Sequence, residues 1–265
     1  MSSIKKINIF SNDEEISIKV VKELEKKLQE RGYILSKDSF DLAIAVGGDG
    51  SFLQMVRKCD FDEKIKYIGV HTGTLGFSQE IAPNKIDDFL LCLEKDDCKE
   101  EQIGIQETSI YSLQNIKKYY SLNEIVIRDI NLKTAHLEIN INDEILENYV
   151  GDGVCICTSF GSTAYNYSLG GSIVDRCFDT LQITPIAPIN HNEKSSLKSS
   201  YIGSGDNIIS VKPENRTKNL LLSIDDKITN LDQNTYIETT IGRHIKCLCT
   251  NNYSHTRRIH EKYTR

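Results

Sequence analysis

Leu42-Ala43-Ile44-Ala45-Val46-Gly47-Gly48-Asp49-Gly50-Ser51-Phe52-Leu53-Gln54-Met55 decides the fold of the first part of the chain. An unbroken apolar run suits a strand of a parallel sheet covered by helices. The glycines that follow make a turn, and Ser51 to Met55 reads as the start of a helix. Such a strand–turn–helix brings bare backbone N–H groups and the positive end of a helix against an anion. Gly47, Gly48 and Gly50 are therefore candidate phosphate-binding residues. Asp49 is the odd residue in that turn. A carboxylate beside a phosphate cradle repels the ligand unless it binds a metal or takes a proton from a hydroxyl nucleophile, and a phosphotransferase needs both jobs done. An ordinary left-handed turn also favours Asp-Gly, so the tetrapeptide needs support from elsewhere in the chain.

Outward from this segment, strand and helix alternate. Lys6 to Phe10 is a short strand, and Ser11-Asn12-Asp13 supplies cap residues. Glu14 to Glu30 carries Ile16, Val20, Val21, Leu24 and Leu28 as a helical core stripe. Strand Asp41 to Val46, the helix after Gly50, strand Lys66 to Val70 and helix Lys85 to Leu93 complete the pattern. It predicts an α/β domain over residues 1–100, a Rossmann-like parallel sheet with helices. The glycine turn lies at a strand's C-terminal end, where open α/β sheets collect ligands. Beyond a charged stretch at Lys95 to Gln102 the pattern changes to successive β-type runs. They lie at Ile103 to Leu113, Lys118 to Arg128, Ala135 to Ile141, Val154 to Thr158, Ile208 to Val211, Asn219 to Ile224, Tyr236 to Thr240 and Ile245 to Thr250. They predict a β-rich second domain over 101–250. Asn190 to Ser204, Ser- and Lys-rich, is expected to form a mobile loop, and 251–265 a solvated tail or short helix.

A chain of 265 residues can bury a large core and suits two domains. Its net charge of −6 and pI near 5.6 argue against a general nucleic-acid binder, which needs clustered Lys and Arg. No run approaches the ~18 apolar residues of a membrane span, and Met1 to Lys6 lacks the apolar region of a secretory signal. A cytoplasmic protein is expected, without membrane or nucleic-acid partners. The eight cysteines contain no Cys-x-x-Cys pair and no zinc-finger histidine spacing, so no protein-held metal is expected. Cys155 and Cys157, like Cys247 and Cys249, are two apart in β-type runs, each pair facing one side as small buried apolar groups.

A second segment supports the first. Gly151-Asp152-Gly153 precedes a short β-type run, and Gly161-Ser162-Thr163-Ala164-Tyr165-Asn166 follows it, ending at Gly170-Gly171. Hydroxyls, glycine amides and an aromatic face packed this closely suit a nucleoside or sugar better than an apolar core. Taken singly, Ser162 or Thr163 also suits a helix N-cap and Tyr165 a core aromatic.

These two segments are bridged by His71-Thr72-Gly73-Thr74-Leu75-Gly76-Phe77 and Leu122-Asn123-Glu124. Together they closely resemble the bacterial NAD kinases in order and spacing, from the first strand to Ser223-Ile224-Asp225. The resemblance implies phosphorylation of the 2′-hydroxyl of the adenosine ribose of NAD to give NADP, with ATP or polyphosphate as donor and Mg²⁺ as the divalent cation. It implies Asp49 as catalytic base and part of the NAD site beside Gly50, with Phe77 an apolar contact. Asn123 and Glu124 would hydrogen-bond the adenosine and its ribose. Thr163, Ala164 and Tyr165 would line the adenine and ribose pocket, together with Asn166 and Tyr167. Asp152 would receive the nicotinamide carboxamide side, and Ser168 and Ala187 would finish the wall. His71 either contacts phosphate or is a satisfied structural histidine. Relatives form dimers or tetramers in which a neighbouring subunit completes the nicotinamide pocket, and their C-terminus returns to the first domain.

Three positions and one segment depart from the pattern. Val150 stands where relatives often carry Arg or Lys, and Phe160 replaces a Ser or Thr expected to hydrogen-bond adenine. Asp226 is acidic where relatives are polar, and Asn190-His191-Asn192-Glu193-Lys194 differs from the usual Asn-Arg type. Two other readings stay open: a lipid or sugar kinase sharing the glycine-aspartate turn alone, and a non-catalytic dinucleotide sensor.

Overall fold

Every residue of the Leu42–Gly47 strand is buried, as a strand covered by helices on both faces requires. The computed structural model describes residues 4–73, 76–189, 196–214, 216–217, 219–231, 234–251 and 253–264. Thr74 and Leu75 of the His71–Phe77 motif, the Asn190 to Lys194 departure with its neighbour Ser195, and Arg265 lie outside the described residues. The chain divides into two compact units, Met1–Ile103 with Ile245–Arg265 and Gly104–His244.

The first unit opens with β1 (Lys6–Ser11), α1 (Glu15–Glu30), β2 (Ile34–Leu35), β3 (Leu42–Gly47), α2 (Asp49–Lys58), β4 (Lys66–His71) and α3 (Ile86–Glu94). Its strands pair in parallel, β2 with β1, β1 with β3 and β3 with β4. Val20, Leu24 and Leu28 of α1 pack with Ile44, Val46, Ile68 and Val70 of the sheet and Phe89 and Leu90 of α3. The expected stripe on α1 is one residue out of phase at its start. Ile16 is 57% exposed, while Ser17 is buried and hydrogen-bonds the Thr72 hydroxyl at 3.0 Å. A helix turning 3.6 residues at a time places 17, 20, 24 and 28 on one face.

The second unit follows with β5 (Lys99–Tyr111), β6 (Ile116–Ser121), β7 (Glu124–Asp129), β8 (Ala135–Ile141), β9 (Glu144–Gly151) and β10 (Gly153–Thr158). The short helix α4 (Tyr165–Ser168) precedes β11 (Thr180–Ile186), β12 (Tyr201–Ser204), β13 (Ile209–Pro213), β14 (Leu220–Ile224), β15 (Lys227–Leu231) and β16 (Tyr236–Cys249). Among the described residues, β12-β11-β10-β7-β14-β15 form an antiparallel sheet in that order. Ile125, Ile127, Val154, Ile156 and Leu222 turn one face of it onto Leu137, Ile139 and Val211 of β8 and β13. The alternate residues Val126, Cys155 and Cys157 face the other way, beneath Leu169. Burial pushes both thiols well above their ordinary value, so they stay protonated and pack as apolar groups.

Four expectations change. Lys118 to Arg128 is two strands, β6 and β7, with a bend at Leu122 and Asn123. The two runs expected between Tyr236 and Thr250 are one strand, Tyr236–Cys249, which runs through Gly242. Residues 201–204 of the expected loop pair with β11 as β12. β9, β11 and β15 were not expected, because β9 and β15 lack a clean alternation of apolar and polar residues and Pro185 interrupts β11. Returning to the first unit, Lys246 and Cys247 of β16 pair in parallel with β4, and α5 (His255–Tyr263) ends the described chain. No helix among the described residues is long and apolar enough to cross a membrane.

Candidate functional site

In the first unit, β3 ends at Gly47, whose φ of +146° is a conformation that side-chain-bearing residues rarely adopt. Gly48 caps α2, and Asp49 is its first residue, two positions before Ser51, where the sequence places the start of the helix. The helix end favours the negative charge there. A loop orients the carboxylate: Phe77 N–H donates to Oδ2 at 3.1 Å and Ser78 N–H to Oδ1 at 2.8 Å. A Cβ on Gly76 would stand 2.2 Å from Asp49 Oδ1, so that approach needs glycine. Gln79 closes the loop onto the turn, its amide donating to the Gly48 carbonyl at 2.6 Å. Around the Cβ positions of Gly48 and Gly50 there is no atom within 4 Å, which leaves space for a ligand to approach the backbone.

The last turn of α5 reaches this aspartate. Lys262 Nζ lies 3.7 Å from Asp49 Oδ2 and 5.0 Å from the Phe77 ring centroid, and Tyr263 packs on the same ring at 5.3 Å. Arg258 of the same helix is buried and donates to the carbonyls of Gly76, Gln79 and Glu80. His71 has Nδ1 3.3 Å from the Gly73 carbonyl. Burial pushes the imidazole below its ordinary value, which favours the neutral form.

In the second unit, a different carboxylate organises the turn. Asp225, in the β14–β15 hairpin with φ +50°, accepts the N–H groups of Leu122, Asn123 and Glu124 at 3.0, 2.9 and 3.3 Å. Thr158 donates its hydroxyl to the Leu122 carbonyl at 2.7 Å and binds the same bend from β10. Glu124 is thereby buried beside a second carboxylate. Burial, and then the Asp225 charge, push its pKa up to about 8, against the Tyr165 N–H that donates to it. At neutral pH it is mostly a neutral acid. Its Oε2 is buried without a protein partner, a polar atom available to a ligand.

The structure therefore gathers Asn123, Glu124, Thr163, Ala164 and Tyr165 around the bend where Glu124 pairs with Cys157. Tyr165 accepts from Arg128, whose guanidinium lies 5.8 Å from the ring centroid. Tyr167 and Ser168 are exposed on α4. Asn166 belongs instead to the scaffold. It is fully buried, its amide donates to the Ser162 and Ser172 carbonyls and its oxygen accepts from Thr184, so both ends of the side chain are engaged within the protein. Asp152 and Ala187, both exposed, flank the Gly153–Ile186 pair at the other end of β10. Phe160 is buried. Asp225, Arg258 and Lys262 were missed by sequence reasoning. The Ser-Ile-Asp-Asp-Lys hairpin pattern was the one local signal for the first, and nothing local marked the other two.

Residues 3–97 match the family model for the ATP-NAD kinase N-terminal domain and residues 122–246 that for the ATP-NAD kinase C-terminal domain. An NAD kinase of Finegoldia magna is 37% identical over 205 residues, 74% of this chain and 73% of that protein. One from Lactobacillus johnsonii is 32% identical over 254 residues, 95% and 93% of the two chains. Yeast NADH kinase solved with NADH shares the fold at a TM-score of 0.87 and 20% identity, over 98% of this chain and 88% of that one. An Archaeoglobus fulgidus NAD kinase solved with ATP does so at 0.74 and 19%, over 97% and 99%. With both halves matched and relatives this similar over most of their length, the chain belongs to the NAD kinase family.

Proposed function

We propose that this chain transfers the terminal phosphoryl group of ATP to the 2′-hydroxyl of the adenosine ribose of NAD, giving NADP and ADP. One observation carries the reading. In a chain of this family, a half-exposed carboxylate, Asp49, stands on a glycine turn at a helix N-terminus with both oxygens oriented by backbone N–H groups. As the ribose oxygen bonds to phosphorus, the bond to the bridging oxygen of ADP breaks and the hydroxyl proton passes to Asp49. The transition state is loose and the proton leaves late, so a weak carboxylate base suffices. Gly47, Gly48 and Gly50 admit the phosphates to the backbone.

Glu124, neutral at pH 7, donates its proton to an adenosine acceptor and accepts through its remaining oxygen lone pairs. Asn123, Thr163, Ala164 and Tyr165 line the same pocket, with Tyr167 and Ser168 beside them. Phe77, beside Asp49 in the first unit, offers the ligand an apolar contact. Asp152 and Ala187 take the nicotinamide side. They flank the Gly153–Ile186 pair, which stands four residues along β10 from the Glu124 pairing, roughly 13 Å at the rise of a strand. We infer a homo-oligomer, a dimer or tetramer, in which a neighbouring copy completes the nicotinamide pocket. Light scattering that finds a fully active monomer overturns this. The cytoplasm suits the eight free thiols, and cell fractionation tests that placement.

Mg²⁺ binds through one or two carboxylates plus its substrate's phosphates rather than in a protein cage. The residues fit that mode. Asp49 offers a half-exposed carboxylate, and no group of three or more His, Cys, Asp or Glu among the described residues forms a cage. When bound, the ion neutralises phosphate charge during transfer.

A coupled assay with NAD or NADH, ATP or polyphosphate, with and without Mg²⁺, tests the reading. NADP should form from NAD and ATP, and Asp49→Asn should abolish nearly all of it. Tight NADP binding without transfer under any of these conditions would make the chain a dinucleotide sensor instead.

A further inference from the structure

The peptide between Gly76 and Phe77 joins two charged side chains. Its N–H donates to Asp49 Oδ2 at 3.1 Å, and its carbonyl accepts from Arg258 Nη1 at 2.9 Å. The same Arg258 nitrogen donates to the Gln79 carbonyl at 2.7 Å, and Nη2 reaches the Glu80 carbonyl at 3.3 Å. The loop is thus held from both sides. Phe77 and Ser78 present N–H groups to the aspartate, while Gly76, Gln79 and Glu80 present carbonyls to the guanidinium. Arg258 is 7% exposed, and a buried guanidinium that satisfies three carbonyls of one loop leaves that loop little freedom.

Two physical effects follow. A cation on the carbonyl polarises the amide and strengthens its N–H as a donor, because hydrogen bonds in a chain reinforce one another. A loop that cannot tilt also keeps the carboxylate it orients at a fixed angle, and small errors in such placement slow transfer steeply. We propose that Arg258 is a positioning residue for phosphoryl transfer, acting through the Gly76–Phe77 peptide on the Asp49 carboxylate. This rests on Asp49 being the base that accepts the hydroxyl proton.

A double-mutant cycle tests it on the full chain, with Arg258→Ala and Arg258→Lys each made in the natural and Asp49→Asn backgrounds. Arg258→Ala should lower kcat by about 10²-fold while the KM values for NAD and ATP stay within about threefold, and Arg258→Lys should restore part of the loss. In the Asp49→Asn background the same change should lower the residual rate by less than about threefold, since the group it positions is already gone. Arg258 lines a cavity of about 440 Å³, so added guanidinium ion should partly rescue Arg258→Ala. An equal loss in both backgrounds, or a folded Arg258→Ala with the natural kcat, overturns the proposal. If Arg258→Ala does not fold, Arg258→Lys carries the cycle. Failure of both to fold assigns the residue to stability and overturns the proposal as well. Normal turnover by Asp49→Asn is a separate outcome, and it sinks the assignment of the base itself.

Discussion

Asp49 in the first unit and Asp225 in the second each accept backbone N–H groups from a loop far away in sequence. Phe77 and Ser78 serve the one, and Leu122, Asn123 and Glu124 the other. What stands around them differs. Asp49 sits half-exposed at a helix N-terminus beside glycines with open space, and the Lys262 ammonium is 3.7 Å away. Asp225 spends its charge on fixing a bend, and its close neighbour is a buried carboxylic acid. The same hydrogen-bonding device therefore leaves one carboxylate open for chemistry and makes the other a staple. The staple in turn shapes Glu124, whose proton it helps to retain.

The sharpest test of that contrast pairs two substitutions. Asp49→Asn should reduce kcat by about 10²–10⁴-fold, the usual span for a general base, with stability within about 1 kcal/mol of the natural chain. Asp225→Ala should do the reverse in kind. It leaves three N–H groups without their acceptor and puts a Cβ-bearing residue with no local hydrogen bond at φ +50°, costing on the order of 3 kcal/mol. Thermal unfolding should show a drop of about 5–10 °C, and NAD affinity should fall with the bend. Equal stability losses for the two would erase the distinction between them.

Glu124 supplies the next test, through pH. Its folded pKa of about 8 lies above its ordinary value, so between the two the folded chain holds a proton that the unfolded chain has released. Stability from this group is full below the ordinary carboxylate range and declines as pH rises toward about 8. Glu124→Gln has no proton to lose. Its unfolding free energy should gain on that of the natural chain as pH goes from 5 to 8, by at most about 1.4 kcal/mol per pH unit, which melting curves at each pH check. Because Gln imitates the neutral acid, NAD affinity near pH 7 should survive Glu124→Gln and fall in Glu124→Ala. Loss of affinity in both would mean that the ionised form binds.

Much of this arrangement was legible in the sequence, and the remainder failed for a physical reason. Periodicity and turn chemistry are local. The buried run before Gly47 and the alternation of strand and helix gave the parallel sheet, and the run of β-type segments gave the β-rich second unit. Family motifs, with both domain models matched, removed the lipid- or sugar-kinase reading. Edge strands escaped because a strand with one exposed face and polar residues, such as Lys227–Leu231, leaves little periodic trace. The partners of the site escaped because they lie far off in the chain. Asp225 binds Leu122 across 103 residues and Arg258 binds Gly76 across 182, both through backbone atoms that every residue carries. No composition or spacing rule marks such a pair.

Lys262 offers the smallest effect and the cleanest contrast with Asp225. Its ammonium is about one-third exposed, next to Asp49 and over the Phe77 ring, so its attraction to the carboxylate is screened and removing it should change stability by less than about 1 kcal/mol. A highly charged donor is another matter. ATP entering beside Asp49 meets a carboxylate that repels it, and Lys262 offsets that repulsion at short range. Lys262→Ala should raise KM for ATP by about three- to tenfold with kcat for saturating ATP nearly unchanged, and should flatten the rise of KM with added salt, because one screened contact is gone. A KM that is unchanged at low salt would mean that the ammonium does no more than cover the Phe77 ring, and that Asp49 meets the phosphates without help from α5.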